Sequence, residues 1–484
     1  MNPFKYGCTV GGEFFCPRPK LERALKSHIL SGQNVVIQGE RRMGKTSLVL
    51  ETVRKTRGVS LLHADLLCVR DTADLCRRLA TALSRTERTA GFLEKTVRAL
   101  SRLRPTITID QNTGAPTLSV DTAAASEIAS IDTVMDAILA QTAKKRTCVV
   151  LDEFQDFVKI DDSIFSEIAR DWDAFHARAK LNLVVSGSIN RLMNQIFEDR
   201  EAPLYGRNTG RIKLAPFSVP VMKEILSFHN PSYTNEDLLA LWSFTGGVAR
   251  YVALLMDAKA VTKEKMIAEI VRSNSSFFDE GKVVLIEEFG KDYATYFTIL
   301  SAISAGKTSR DRIETACGGE VSGYLTKLER HYGLIAKKQP IFETNERKNC
   351  LYRIDDCFFR FWFRFIFKYA YLLEVEMFDE LREIVERDYA VFSGQSLEDY
   401  FRRKSIGEHS YSRLGGWWDR KGENEIDAVG ENEFHDTIEF VEIKRDAERI
   451  RLDALKGKAE AFFEKNPDKR SRTVSYRGFS LDDM

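Results

Sequence analysis

The chain has 484 residues, which at ordinary domain size predicts about three domains. It is 43% apolar and 30% charged, the balance of a globular chain, and carries 72 basic against 71 acidic residues. A formal net charge of +1 excludes a histone-like coat for nucleic acid and an acidic solvating tail, but it permits a local basic groove.

Targeting and redox signals are sparse. The opening MNPFKYGCTV lacks a basic start followed by an apolar core, and the most apolar run, 358–367, is interrupted by Arg360 and Arg364. The eight cysteines form no C-x-x-C pair. A cytoplasmic chain with reduced thiols, no membrane span and no structural zinc is expected.

Five runs read as strands: 34–39 (NVVIQG), 59–66 (VSLLHADL), 147–153 (TCVVLDE), 181–188 (LNLVVSGS) and 210–214 (GRIKL). Four are continuously apolar rather than alternating, which suits parallel strands buried on both faces. Amphipathic helical segments separate them, so 1–217 is expected to be a doubly wound α/β layer. The piece 105–120 (PTITIDQNTGAPTLSV) alternates, turns at Asn112-Thr113-Gly114 and alternates again, which predicts a hairpin inserted on that layer.

The first strand runs into GERRMGKTS at 39–47, which matches G-x-x-x-x-G-K-[ST] ahead of a helical segment. Its glycines let backbone N–H groups turn onto the phosphates, Lys45 adds a point charge, Thr46 offers a hydroxyl to Mg²⁺, and the helix start adds its dipole. Gly39, Arg42, Gly44, Lys45, Thr46 and Ser47 are therefore the expected nucleotide contacts. The strand at 147–153 ends in Asp152-Glu153, with Asp152 expected to hold Mg²⁺ through water and Glu153 to polarise the attacking water. The strand at 181–188 ends in Ser186-Gly187-Ser188, which puts a sensor hydroxyl, assigned to Ser188, near the γ-phosphate. Arg207 stands where an arginine finger reaches a neighbouring subunit's nucleotide; a surface pair with Asp199 or Glu201 is the alternative. Arg250, in TGGVARYV, is the candidate second sensor.

Residues 218–285 are predicted as a helical lid. Over 286–355, a helix, the Gly306-Lys307 turn, a helix from Ser309, a helix over 321–332, Gly333 and two short strands follow the order of a winged helix-turn-helix. Seven basic against four acidic residues over 301–340 suit phosphate contacts, with 321–332 as the helix for the major groove. A partner-docking role fits equally. Residues 356–385 are expected to be a helical linker.

The last segment, 386–484, carries a second chemistry. Glu398 lies in a helix, 415–430 begins with a glycine–tryptophan turn and enters a strand at Glu425-Ile426-Asp427, and 440–446 (FVEIKRD) is the next strand. Glu442 and Lys444 are two apart and so share a face. An acid followed by E-x-K after a hairpin's length resembles the motif of PD-(D/E)XK nucleases. In that chemistry Asp427 and Glu442 hold one or two divalent metals, Mg²⁺ or Mn²⁺, at the scissile phosphate. Lys444 orients water and stabilises charge, and Glu398 completes the metal shell. Arg449, Arg451, Lys456 and Lys458 follow, placed to receive a phosphate backbone. E-x-K is also common in charged surface hairpins, so a domain that binds without cutting stays open.

Taken together, GGEFFCPR (11–18), GERRMGKTS, VLDEFQDF (150–157), VSGS, LYGRNTGRIKLAPF (204–217), TGGVARY (245–251) and LYRIDDCFFRFWFRF (351–365) closely resemble the archaeal-type ATPases, a STAND-like branch of AAA+ P-loop proteins. The resemblance covers essentially the whole chain in the right order. It implies an additional-strand P-loop core, a helical lid, a winged helix and a C-terminal restriction-endonuclease-like α/β domain. It implies ATP and Mg²⁺ at Lys45, Thr46, Asp152 and Glu153. The function expected from these features together is an ATP-driven switch whose C-terminal nuclease-like domain cuts nucleic acid, with DNA favoured, in defence or mobile-element control. A homo-oligomer, with its arginine finger in trans, and a protein trigger would be its partners. A non-cutting DNA-binding regulator or a partner-sensing scaffold is the alternative. Relatives often carry Gly-x-Pro in the lid, where this chain has Gly247-Val248-Ala249, so reading nucleotide state through a proline does not carry over.

Overall fold

The computed structural model describes residues 18–39, 42–67, 69, 71–86, 105–109, 116–120, 134, 138–140, 145–155, 181–187, 190–289, 292–345, 349–408, 411–420 and 422–484. It divides into two compact units between Ala215 and Pro216.

The strands described in the first unit are β1 (Val35–Gln38), β2 (Ser60–Asp65), β3 (Pro105–Ile109), β4 (Pro116–Val120), β5 (Thr147–Asp152), β6 (Leu181–Gly187) and β7 (Gly210–Lys213). Five form one sheet in the order β2-β5-β6-β1-β7, every neighbouring pair parallel. The inner strands β1, β5 and β6 are buried at every position, while the edge strand β7 alternates. That is the signature of a parallel layer covered on both faces. β6 stands between β1, which runs into the glycine loop, and β5, which ends on Asp152, so the additional-strand order is present. Because the strands are parallel, the C-terminal ends of β1, β5 and β6 lie on one edge of the sheet, where such folds place their ligands.

The helices described in this unit are α1 (Pro19–Leu30), α2 (Lys45–Lys55), α3 (Thr72–Thr86) and α4 (Asn190–Glu198). Pro19 begins α1 where its missing N–H costs nothing. Val36, Leu62, Leu79, Val149, Val185 and Phe197 share one core cluster, and each such burial contributes roughly 1.5–3 kcal/mol. Cys148 is part of β5, its thiol pushed up to about 12 by burial, so it packs rather than reacts. β3 and β4 pair antiparallel from Pro105↔Val120 to Ile109↔Pro116, as the hairpin pattern predicts. The turn residues Asn112-Thr113-Gly114 lie outside the described residues.

The second unit begins with α5 (Val219–His229), α6 (Asn235–Thr245), α7 (Ala249–Asp257), α8 (Lys263–Ile270) and α9 (Ser276–Phe289). α6 starts on a capping box between Thr234 and Asp237, ends on left-handed Gly246, and is buried from Asp237 to Thr245. Next come α10 (Tyr293–Ser304), α11 (Arg310–Cys317), α12 (Ser322–Arg330) and the antiparallel pair β8 (Ile335–Lys338) and β9 (Leu351–Ile354).

Within the stretch 356–385 the first part is buried core. α13 (Cys357–Phe361) continues into a π-helical turn, Trp362–Phe367. Phe358 stacks on Tyr251 with ring centroids 4.0 Å apart, and Phe361 meets Phe244 edge-on at 4.8 Å. The Trp362 indole donates to the Phe278 carbonyl at 3.0 Å. So dense a run of aromatic residues has more apolar surface to bury than a tether would leave in water.

After α14 (Ala370–Glu374), the 30-residue α15 (Phe378–Gly407) runs unbroken across the boundary expected at 385/386. The closing sheet has the order β10-β11-β12-β13, formed by β10 (Arg413–Trp418), β11 (Glu425–Asn432), β12 (Thr437–Ile443) and β13 (Thr473–Phe479). The first three are antiparallel, and the parallel β12–β13 step is crossed by α16 (Leu452–Lys465). Gly415 to Trp418, expected as a turn, are strand; the chain turns after them, where Asp419 accepts the amides of Glu423 and Asn424 at 3.0 and 3.1 Å. Among the described residues no helix is long and apolar enough to cross a membrane.

Candidate functional site

The loop after β1 is shaped for an anion. Arg42 and Gly44 have φ of 70° and 84°, and Gly44 caps α2, so backbone amides gather ahead of a helix N-terminus. Gly39 has no room for a side chain, since a Cβ would lie 3.0 Å from the Leu214 Cβ and carbonyl oxygen. Lys45 is buried and its Nζ donates to the Gly39 carbonyl at 2.9 Å, which holds the ammonium over the loop. Ser47 lies in the first turn of α2, half-buried. Arg18 braces the loop, donating from Nη1 to the Ala215 carbonyl at 2.6 Å and from Nη2 to the Met43 carbonyl at 3.1 Å. Spacing alone could not assign that role to Arg18.

Asp152 joins three elements. Thr46 Oγ1 donates to its Oδ2, Ser186 Oγ donates to its Oδ1, and His63 Nε2 lies 4.0 Å from Oδ2. Of the serines singled out in the sequence, Ser186 reaches the carboxylate; Ser188 lies outside the described residues. His63 enters because β2 pairs with β5, which no local pattern reveals. Glu153 has φ of 53°, a left-handed conformation uncommon outside glycine. Its amide donates to Asp152 Oδ1 at 3.1 Å, and Gln155 Nε2 donates to Glu153 Oε2 at 2.6 Å. An ammonium, a cradle of amides and a hydroxyl–carboxylate pair together fit a nucleoside triphosphate with its Mg²⁺. The Arg207 guanidinium donates to the Pro203 carbonyl in its own loop. Arg250, in the second unit, pairs with Glu280 at 3.3 Å.

In the closing sheet, Asp427 Oδ2 accepts the Ile443 amide at 2.7 Å and Lys444 Nζ at 3.0 Å, and Lys444 Nζ lies 3.8 Å from Glu442 Oε1. A shift of register between Gly415 and Trp417 marks a bulge across β10 and β11, a device that re-aims side chains. The buried Glu442 also accepts the Arg451 amide at 2.7 Å and has Lys458 at 4.0 Å. Burial works against the Lys444 charge, but Asp427, Glu442 and Glu398 together hold its pKa above the ordinary lysine value. Glu398, on α15, is pushed up to about 7 by burial, with Asp427 and Asp399 adding to the rise and Arg402 opposing it. Arg402 Nη2 lies 3.3 Å from Glu398 Oε2 and donates to the Asp427 carbonyl. Among the described residues no three His, Cys, Asp or Glu side chains converge as a ready metal cage.

The residue after Lys444 is tied elsewhere. Arg445 Nη2 donates to both carboxylate oxygens of Glu236 on α6 at 2.8 and 2.6 Å, and its Nη1 donates to Ser393 Oγ at 2.6 Å. The guanidinium also lies 5.4 Å from the Tyr389 ring centroid.

Residues 23–255 match a family described as an ATPase domain predominantly from Archaea, and residues 362–453 match one described as archaeal and bacterial proteins of unknown function. The uncharacterized protein MJECL04 of Methanocaldococcus jannaschii is 29% identical over 325 residues, covering 64% of this chain and 71% of that one. The solved Walker-type ATPase PABY2304 of Pyrococcus abyssi is similar with a TM-score of 0.53 at 17% identity, covering 75% of this chain and 99% of that one. The Aeropyrum pernix ORC2 protein, solved in ADPNP–ADP complexes, gives a TM-score of 0.44 at 14% identity, covering 77% and 95%. The stretch that matches the ATPase-domain family found predominantly in Archaea, residues 23–255, thus contains the glycine loop, the Thr46–Asp152 contact and a parallel sheet whose order is that of P-loop folds.

Proposed function

We propose that the chain is an ATP-driven switch whose C-terminal domain hydrolyses phosphodiester bonds in DNA. The observation that carries this reading is the meeting of Asp427, Glu442 and Lys444 on β11 and β12, downstream of an ATPase domain. In the first unit Lys45 and the amides of 42–46 receive the β- and γ-phosphates, and Thr46 with Asp152 holds Mg²⁺. When bound, that ion neutralises charge building on the phosphates. Glu153, steadied by Gln155, orients water toward the γ-phosphorus and takes its proton as the bond to the β-phosphate breaks. Arg207 serves in trans within a homo-oligomer, and Arg250 reads the nucleotide from the lid. The helix, helix, helix, hairpin order over 293–354 supports a winged helix, and with it DNA as the nucleic acid.

In the C-terminal domain Asp427 and Glu442 hold Mg²⁺ or Mn²⁺, which supplies charge neutralisation at the scissile phosphate. Lys444 stabilises charge on the phosphoryl oxygen and orients the attacking water. Glu398 completes the acidic set once deprotonated. The alternating order of one helix, three antiparallel strands, a crossover helix and a parallel strand supports a restriction-endonuclease-like fold. A second reading, a domain that binds DNA without cutting it, is favoured by one observation: the acids do not gather as a three-ligand cage among the described residues.

Full-length protein with Mg²⁺ or Mn²⁺, with and without ATP, is offered supercoiled plasmid, linear DNA and RNA beside Lys444→Ala. Cleavage of DNA that falls at least a hundredfold in the variant supports the cutting reading. Cleavage that survives in Lys444→Ala, or no cleavage by the wild type under any condition, overturns it. Lys45→Ala should abolish ATP binding, and wild-type affinity in that variant would remove the nucleotide from this loop.

A further inference from the structure

We infer that the groove between the helix–hairpin segment of 308–352 and the β10–β11 turn is the binding track for a single DNA strand leading to the Asp427–Glu442–Lys444 cluster. The inference deepens the nuclease reading and rests on it. The groove holds about 1240 Å³ and is lined by residues of α11, α12, β8 and β9 on one side and by Trp418, Asp419, Arg420 and Gly422 on the other. Ser322, Thr326 and Arg330 recur every four residues, so one face of α12 lines it, while Leu325 and Leu328 are buried behind.

Charge and ring chemistry indicate the occupant. Five basic and three acidic side chains line the groove, but the acids are largely spent. Glu314 pairs with Arg310 at 2.8 Å, and Asp419 accepts the amides of its own turn. Arg312, Arg330, Lys337 and Arg420 have no acidic partner among the described residues, which leaves four cations in one groove. The Ser322 hydroxyl, shut off from solvent and without a hydrogen-bond partner, lies beside them. Trp418 and Tyr352, both half-buried, add two aromatic rings to the same groove. Cations for a phosphate backbone interleaved with rings for bases are what single strands require, whereas intact duplex hides its base faces. Asp419 pins the turn that displays Arg420, so that cation is presented from a fixed point. Trp418 stands opposite Glu425 in the β10–β11 register, and Asp427 follows two residues later, about 7 Å along the strand. A strand seated on Trp418 is therefore delivered to the acids without leaving this sheet.

The test measures fluorescence anisotropy of a labelled 20-nucleotide single-stranded DNA, the matching RNA and the duplex on the full chain, in EDTA to keep them intact. The wild type should bind the single-stranded DNA most tightly. Arg330→Ala/Arg420→Ala should weaken it at least tenfold at 100 mM salt and lower the slope of log affinity against log salt by about 1.4, from about 0.7 per phosphate contact. Arg330→Lys/Arg420→Lys should keep the wild-type slope. Trp418→Ala should cost about tenfold with the slope unchanged. Arg330 and Arg420 are exposed, and thermal melts verify that the variants are folded. Unchanged binding in the double alanine variant, or binding that depends on Arg330 but on neither Arg420 nor Trp418, overturns the joint track and leaves the nuclease reading standing. Preference for RNA or duplex overturns the assignment of the strand. If the wild type neither binds nor cuts any of the three, the nuclease reading falls first and the track with it.

Discussion

Asp399 tests how α15 is held in register with the rest of its unit. It neighbours Glu398, is 7% exposed, and accepts Arg353 Nη2 at 2.6 Å and Arg360 Nη1 at 2.9 Å, with Arg402 Nη1 at 3.9 Å. Asp399→Asn keeps the shape and removes the charge, leaving Arg360, itself 6% exposed, buried without its counter-ion. Breaking a buried pair this way costs about 3–5 kcal/mol, and losing two hydrogen bonds to charged groups, at about 1.5–3 kcal/mol each, gives a similar sum. At roughly 2–4 °C per kcal/mol, the transition that melts this unit should fall by about 10 °C. Burial pushes the Asp399 carboxyl up, but Arg360, Arg353 and Arg402 outweigh it and hold the group below the usual carboxylate range. Its stabilisation is therefore complete above the unfolded pKa of about 3.9 and is lost only as pH falls through the lower native value. Melts of the full chain followed by circular dichroism should show a gap between wild type and variant that is flat from pH 8 to pH 5. A fall of less than about 2 °C, or a gap already closing at pH 6, would refute the reasoning.

Two other substitutions probe independent features. Glu398 titrates near 7 because it is buried, so its neutral form is favoured and its deprotonation costs stability as pH rises through that value. In EDTA, Glu398→Gln should melt higher than wild type at pH 8, by about 1–2 kcal/mol given the carboxyl's partial contact with water, and the advantage should vanish below about pH 4.5. An advantage that persists at pH 4 would mean the gain comes from packing. Gly247 has φ of 79°, and a Cβ there would lie 2.6 Å from the Phe217 carbonyl oxygen. Gly247→Ala should cost about 2–4 kcal/mol in denaturant unfolding, and a loss below 1 kcal/mol would show that the Phe217 segment yields.

Local chemistry was readable in advance and long-range chemistry was not. Gly44-Lys45-Thr46 and Asp152-Glu153 announce themselves because each motif is complete within a few residues of one strand end. The strands at 147–153 and 181–188 are legible because burial on both faces keeps their centres, Cys148–Leu151 and Leu183–Val185, apolar without alternation. Gly415-Gly416 make the following Trp417 and Trp418 look like part of a turn, yet those glycines let β10 pass Ile341 and Arg402 closely. The role of Ser186 depends on β6 lying beside β5, that of Asp399 on partners 46 and 39 residues away, and that of Arg445 on one 209 residues away. No periodicity encodes such meetings; they exist only once the chain has folded. The aromatic run at 358–367 was visible as composition, but which rings it would meet was not.

The grip of Glu236 on Arg445 also bears on how this protein can be rearranged over generations. Lys444 and Arg445 are consecutive, their Cα atoms about 3.8 Å apart, so whatever shifts one shifts the other. A recombination event that exchanged only 386–484 between relatives would part Arg445 from Glu236 and Asp399 from Arg353 and Arg360, and would splice α15 in mid-helix. Lineages that trade this tail should therefore trade it together with 235–245 and 351–360, or acquire matched changes in both. The heritable module is the helical region with its sheet, and a boundary drawn at the start of the E-x-K segment would cut through it.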